Sequence, residues 1–227
     1  MINRLVEALP RDARNRFLKL CKPVDLAIGT ILCDADRPLQ YVYFPLTGLV
    51  SLVAKLGDHA PLEIGLIGNE GMLGATLALG VKNARLRGVV QGSGTALRMT
   101  AARFRRELSR TPSLRRTLNR YLFVLLAQLS QTTACTRFHD IKARLARCLL
   151  MTHDRASTDH FNLTHQRLAD ALGVRRSAIT IAAGGLQRKQ LIHYTRGKIS
   201  ILDRKGLEAA SCECYRAVTE DHELMFA

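Results

Sequence analysis

The sequence predicts an α+β chain: an antiparallel, jelly-roll-like β-roll, then one long helix, then a winged helix-turn-helix. Three features carry that expectation. Short β-rich runs alternate with turn residues from Val24 to about Met99, helical periodicity dominates residues 101–137, and residues 165–202 read as two helices followed by a hairpin. At 227 residues and 47% apolar composition the chain can bury two modest cores.

Leu5, Leu9, Phe17 and Leu20 recur among charges near the N-terminus, which predicts short helices broken at Pro10. The strand candidates are Ala27–Cys33, Tyr41–Phe44, Leu49–Ala54, Leu62–Ile67, Gly88–Val90 and Thr95–Met99. Their spacing and the Gly, Pro, Asn and Asp clusters between them suit an antiparallel domain over residues 1–112.

A helix from Ser113 to Arg137 would be about 37 Å long at 1.5 Å per residue. Leu118, Leu122, Leu125 and Leu129 form one seam along it. A helix of that length, over residues 113–138, exceeds what its neighbours can bury, so the seam is expected to meet a second subunit; the other reading packs it on the β domain of its own chain. Residues 139–227 then begin with an amphipathic helix, Asp140 to about Thr152, that buries Ile141, Leu145, Cys148 and Leu149. A polar, turn-like segment is expected at Asp154–Asp159.

From His165 to Gln187, Leu168, Leu172, Val174, Ile179 and Ala182 lock two helices together. Ala169 is small where they cross, Gly173 suits a left-handed turn, and Thr164 is an N-cap candidate. Leu191–Tyr194 and Lys198–Leu202 form a hairpin around Thr195-Arg196-Gly197. Residues 164–198 carry Arg167, Arg175, Arg176, Arg188, Lys189, Arg196 and Lys198 against a single acid, Asp170. That stretch, in a chain with 34 basic and 19 acidic residues, points to double-stranded DNA as partner. Thr164, Arg175, Arg176, Ser177, Thr180, Ile181, Arg188, Arg196 and Lys198 are the candidate DNA contacts, with Arg176, Ser177, Thr180 and Ile181 expected at base edges and Arg196 and Lys198 beside the DNA backbone. A second basic block, Arg98–Arg120, is a solvated helix face or a contact surface for DNA or RNA polymerase. Gly184-Gly185 interrupts the second helix, and close packing against the first helix is the expected reason.

The order of these parts resembles the Crp/Fnr family of bacterial regulators over nearly the whole chain. Tyr41-Val42-Tyr43-Phe44-Pro45-Leu46-Thr47-Gly48 is similar to the family's roll strand and turn. Phe138-His139-Asp140-Ile141 with Arg144-Leu145-Ala146 is similar to its hinge, and Leu163–Ile192 aligns without a gap on the helix-turn-helix of the catabolite activator. The resemblance implies a cytoplasmic homodimer that binds inverted-repeat DNA and contacts RNA polymerase. It also implies an effector site at positions equivalent to Gly74, Ala75, Arg85, Leu86 and Ser130. Ala75 replaces the ribose-binding carboxylate of cyclic AMP binders, and Leu86 replaces the hydroxyl residue after the phosphate arginine. Each lost partner costs about 1–3 kcal/mol of unmet desolvation, so cyclic AMP is not the expected effector, whose identity the sequence leaves open. Only Arg176 matches the family's base readers, because Ser177 and Ile181 stand where Glu and Arg read bases.

No iron–sulfur cluster is expected, since the N-terminal half has only Cys21 and Cys33. Cys212-x-Cys214 has no second Cys or His pair nearby at ligand spacing, so it reads as structural and no metal is expected. The N-terminus lacks a signal-peptide core, and the strongest apolar run, Tyr121–Leu129, is too short to span a membrane. An enzyme of cupin type would need inward ligands, yet the roll segment offers only His59, in a probable Gly57-Asp58 turn; no enzymatic activity is expected. The remaining alternative, a ligand-binding module acting on a protein partner, leaves the terminal helix-turn-helix without a purpose.

Overall fold

The computed structural model describes residues 2–55, 57, 61–156 and 160–226, so His59, Asp58 and residues 157–159 lie outside the described residues. Helices α1 (Arg4–Glu7) and α2 (Arg11–Leu20) flank Pro10. Strands β1 (Lys22–Leu26), β2 (Ile31–Cys33), β3 (Tyr41–Pro45), β4 (Leu49–Ala54), β5 (Leu62–Ile67), β6 (Arg87–Gly92) and β7 (Gly94–Thr100) follow. They form two antiparallel sheets, ordered β1-β7-β3 and β2-β6-β4-β5. The expected strand Ala27–Cys33 is shorter, because Gly29 takes φ +86° in a turn closed by Thr30 N–H to the Ala27 carbonyl at 3.1 Å. Strand β1, whose pattern is mostly exposed, carries little apolar signal, and no expected strand covers it.

The two sheets face each other across Leu26, Tyr43 and Ala96 on one side and Val50, Leu52, Ile67 and Val90 on the other. This interior is filled by apolar side chains. A second core lies outside the roll, where Phe17 meets Phe44 edge-on with ring centroids 5.2 Å apart and Phe104 packs tilted on Phe44 at 6.1 Å. Helices α3 (Ala101–Arg110) and α4 (Pro112–Phe138) close over it with Leu108, Leu114, Leu118, Tyr121 and Val124.

That closure corrects the expected seam. Leu118 is fully buried in its own chain, and Leu122 and Leu125 are half-buried against the two cores. Leu129 packs close to Gly65 on β5. Along the middle of α4 the large apolar residues left exposed are Phe123 and Leu126, about a quarter turn round the helix from the leucines, and Phe138 is exposed at its end. Tyr121 and Val124 widen the inward face beyond a two-position seam, and that wider stripe is what the roll requires.

Helix α5 (Ile141–Ala156) starts the second half, followed by β8 (His160–Asn162), α6 (His165–Leu172), α7 (Arg176–Arg188), β9 (Ile192–Thr195), β10 (Lys198–Ile201), α8 (Arg204–Ala210) and α9 (Cys214–Phe226). Residues 154–156, expected in a turn, are helical, because Arg155 is drawn inward. Its Nε donates to Glu70 Oε1 at 2.8 Å, and its Nη1 donates to the Met151 carbonyl at 3.1 Å. Its Nη2 meets Gln128 Oε1 of α4 at 3.4 Å and His222 Nε2 of α9 at 3.3 Å. Helix α9 runs back along α4 and delivers Met225 to the core outside the roll.

Burial, reinforced by the Arg155 charge, pulls the pKa of His222 down to about 4. Its ordinary value is about 6.5, so between these limits the unfolded chain binds the extra proton and stability rises with pH. The contribution is complete above about pH 6.5 and lost as pH falls to about 4, up to about 3 kcal/mol in all. Denaturant unfolding at a series of pH values should therefore show a shallower acid decline for His222→Gln than for the wild type. Parallel curves would contradict this.

Candidate nucleic-acid interface

Thr164 accepts a hydrogen bond from the Arg167 N–H at 3.2 Å and so caps α6. Gly173 ends that helix at φ +64°, and a Cβ there would meet Leu62 of β5 at 2.8 Å. The glycine is required both by the turn and by the approach of the roll. Helix α7 starts after Arg175, with no acid in its first turn and no side-chain cap. Two arginines at the positive end of a helix cost stability, and the same arrangement suits a polyanion.

Ile179, Ala182, Ala183 and Leu186 hold the inner face of α7 against α5 and α6. Arg175, Arg176, Ser177, Thr180 and Ile181 are exposed on its outer side, Ile181 at 74%. Arg188 is exposed near the far end. Thr180 is partly committed: its hydroxyl donates to the Arg176 carbonyl at 3.1 Å and meets His165 Nδ1 at 3.0 Å.

His165 itself escaped the sequence reading. Its ring stacks on Tyr194 of β9, centroids 4.0 Å apart and planes within 16°, so it joins α6, α7 and the wing. Burial and then the Arg176 charge lower its pKa, which favours the neutral ring. The only hint was its place beside the Thr164 cap. Gln187 Oε1 adds a second tie by accepting the Tyr194 N–H at 2.9 Å.

Strands β9 and β10 pair in register, Lys198 opposite Thr195, and β8 adds a third antiparallel strand that the sequence did not reveal. At the tip both Arg196 (φ +44°) and Gly197 (φ +83°) are left-handed, as a two-residue hairpin turn with the native twist demands. Arg196 and Lys198 are exposed there.

Residues 143–210 match the Crp-like helix-turn-helix domain family. The chain has the Crp/Fnr regulator fold. FixK2 of Bradyrhizobium japonicum superposes with a TM-score of 0.72 at 16% identity, covering 85% of this chain and 98% of that one. The c-di-GMP-responsive global regulator CLP of Xanthomonas campestris gives 0.69 at 17% identity, covering 85% and 99%. A transcriptional regulator of the CRP/FNR family from Thermus thermophilus gives 0.62 at 22% identity, covering 84% and 98%. No curated protein sequence matches the chain. Among the described residues no helix is long and apolar enough to cross a membrane.

Within this Crp/Fnr fold the positions aligned with an effector site do not converge. Gly74 takes φ +93° ahead of a 3-10 turn, and Ala75 is buried in the helical core outside the roll. Leu86 packs toward the roll interior, whereas Arg85 is exposed and paired with Asp36 at 3.0 Å. Ser130 is exposed on α4.

The fold gives Cys212 and Cys214 neighbours that their spacing in the sequence does not reveal. Cys212 and Cys214 meet Cys135 and His139 from the end of α4, and one ligand atom from each lies within 4.8 Å of the others. Cys135 and Cys212 share a hydrogen bond at 3.5 Å, which lowers the pKa of Cys135 and raises that of Cys212. Cys135 and His139 are four apart, one helical turn, but their partners lie more than seventy residues further on and only the fold brings them together.

The Gly184-Gly185 expectation also fails. A Cβ on Gly184 would meet only Arg188 Nη1 at 3.6 Å, and one on Gly185 only Lys142 and Arg188 side-chain atoms at 3.8 Å or more. Both are ordinary contacts, so nothing in the packing requires glycine. Gly184→Ala and Gly185→Ala should each stabilise the protein by about 0.5–1 kcal/mol in denaturant unfolding; destabilisation by either would contradict this reading.

Proposed function

We propose that this protein is a cytoplasmic, dimeric, sequence-specific DNA-binding transcription regulator of the Crp/Fnr type. The observation that carries the proposal is the outer face of α7. Arg175, Arg176, Ser177 and Ile181 are presented there, free of the packing that fixes the inner face, with Arg196 and Lys198 alongside on the wing. In this reading Arg176 reads a guanine through its fork, Ser177 and Thr180 reach base edges, and Ile181 meets a thymine methyl. Thr164, Arg175, Arg188, Arg196 and Lys198 hold phosphates. Dimerisation uses the exposed side of α4 around Phe123 and Leu126, with Leu122 and Leu129 at its border.

The effector is not cyclic AMP in this proposal. A cyclic phosphate needs its arginine turned toward the ligand, but Arg85 faces solvent and Asp36, and apolar side chains fill the roll. The residues that would hold a nucleotide belong to separate environments.

A salt series with an operator duplex and a random duplex separates base reading from phosphate holding. Arg176→Ala should cost about 1–3 kcal/mol on the operator and much less on random DNA. Lys198→Ala should weaken both alike and flatten log affinity against log salt by about one unit. Cyclic AMP should leave every curve in place. Equal losses on both duplexes for Arg176→Ala would reduce that residue to a backbone anchor, and no binding to either duplex would overturn the proposal.

A further inference from the structure

The end of α4, the joint before α5 and the α8–α9 link converge on a group of side chains that DNA recognition does not use. Cys135, Cys212 and Cys214 are buried, exposed by 1%, 7% and 1%, and His139 is half-buried beside them. The Cys135 and Cys212 sulfurs are 3.5 Å apart, and Cys214 Sγ is 3.4 Å from His139 Nδ1. Tetrahedral zinc, with bonds of about 2.3 Å to sulfur and 2.0–2.1 Å to nitrogen, sets its ligand atoms about 3.5–3.8 Å apart. We propose that Cys135, His139, Cys212 and Cys214 form a closed, four-ligand site for a single zinc ion that ties the end of α4 to the start of α9.

The surroundings of the four residues support the same assignment. His139 Nδ1 faces the sulfurs because its other nitrogen, Nε2, is 3.0 Å from the Glu213 carboxylate, the outer partner that orients a ligating imidazole. Gln131 Nε2 donates to Cys214 Sγ at 3.0 Å, a bond that favours a thiolate. Zinc with three thiolates carries one net negative charge, and Arg144 and Arg147 of α5 interact electrostatically with Cys135. Arg147 is buried; its Nη2 donates to Thr132 Oγ1 at 3.0 Å, while its Nε has no hydrogen-bond partner among the described residues. A buried cation bonded only to a neutral hydroxyl is costly; facing an anionic centre, it is compensated.

The geometry also discriminates among occupants. An iron–sulfur cluster spreads its ligands over different irons, wider than a group whose atoms all lie within 4.8 Å. Four protein ligands leave no open coordination position, so the site is structural. It sits at the α4–α5 joint, and occupancy would fix the direction in which α5 carries the helix-turn-helix.

The test uses the full chain, purified anaerobically without chelator. Elemental analysis should find about one zinc per chain in the wild type and in Cys148→Ser, and below about a tenth in Cys135→Ser or Cys212→Ser. Because those variants could misfold, wild type stripped of metal is also titrated with Co²⁺ alone. It should develop the strong visible bands of tetrahedral cobalt and thiolate-to-cobalt charge transfer, both abolished by zinc. Chelation should lower the melting temperature of the wild type but not of Cys212→Ser. Trace metal together with a colourless cobalt titration would overturn the proposal. So would a Cys135–Cys212 disulfide in the anaerobic protein, since a 3.5 Å thiol pair needs only a small approach to form one.

Discussion

Arg155 leaves the last turn of α5, passes over Gly68 and meets Glu70 at 2.8 Å with both side chains nearly sealed from water. A Cβ on Gly68 would stand 2.8 Å from the Arg155 Cβ and Cγ, so the arginine stem occupies the space that any other residue would fill. Gly71 is constrained in the same way by the Tyr121 ring. The glycine-rich turn ahead of Gly74 and Ala75 therefore has a packing role. It is the socket into which the DNA-binding half inserts a cation. The Arg155 charge holds the Glu70 carboxyl below its ordinary range despite burial, which by itself would raise it. A buried pair of this kind adds little net stability over apolar packing, but losing one partner costs about 3–5 kcal/mol. Its value lies in register: Glu70 from the roll, Gln128 from α4, Arg155 from α5 and His222 from α9 meet correctly in one arrangement.

That arrangement governs the presentation of α7. Helix α5 shares a core with α6 and α7 through Leu145, Leu149, Leu168, Ile179 and Leu186, so whatever orients α5 orients α7. Arg155 anchors one end of α5, and the cluster of Cys135, His139, Cys212 and Cys214 stands at the other. Leu62 of β5 against Gly173 adds a third contact between roll and turn. Arg175, Ser177 and Ile181 consequently share a cleft with Ala54 and Leu62 of the roll. Movement of the β4–β5 hairpin would thus be felt at the face we assign to DNA.

Local patterns were the legible ones. The helix-turn-helix and its wing follow from a cap, a left-handed glycine and a few apolar spacings, all within forty residues, and short-range geometry decides each of them. The ends of α4 were legible for the same reason. Long-range pairing hid the rest. Arg155 looked like part of a polar turn because its partner lies 85 residues earlier. The leucines of α4 were read as an intermolecular seam because Tyr121 and Val124, which extend the stripe toward the roll, were not counted with them. Strands β1 and β8 carry few buried residues, so their pairing partners define them. The Cys–His group joins two helix ends that no spacing rule connects.

Enrichment of bound duplexes from a random DNA pool tests the central claim, that two copies of α7 read DNA from one symmetric dimer, most directly. The account predicts an inverted repeat whose half-site centres lie about 34 Å, one helical turn, apart. It also predicts that Phe123→Glu, Leu126→Glu loses the repeat while the monomer stays folded. Failure to enrich any sequence, or enrichment of a motif without twofold symmetry, would contradict it.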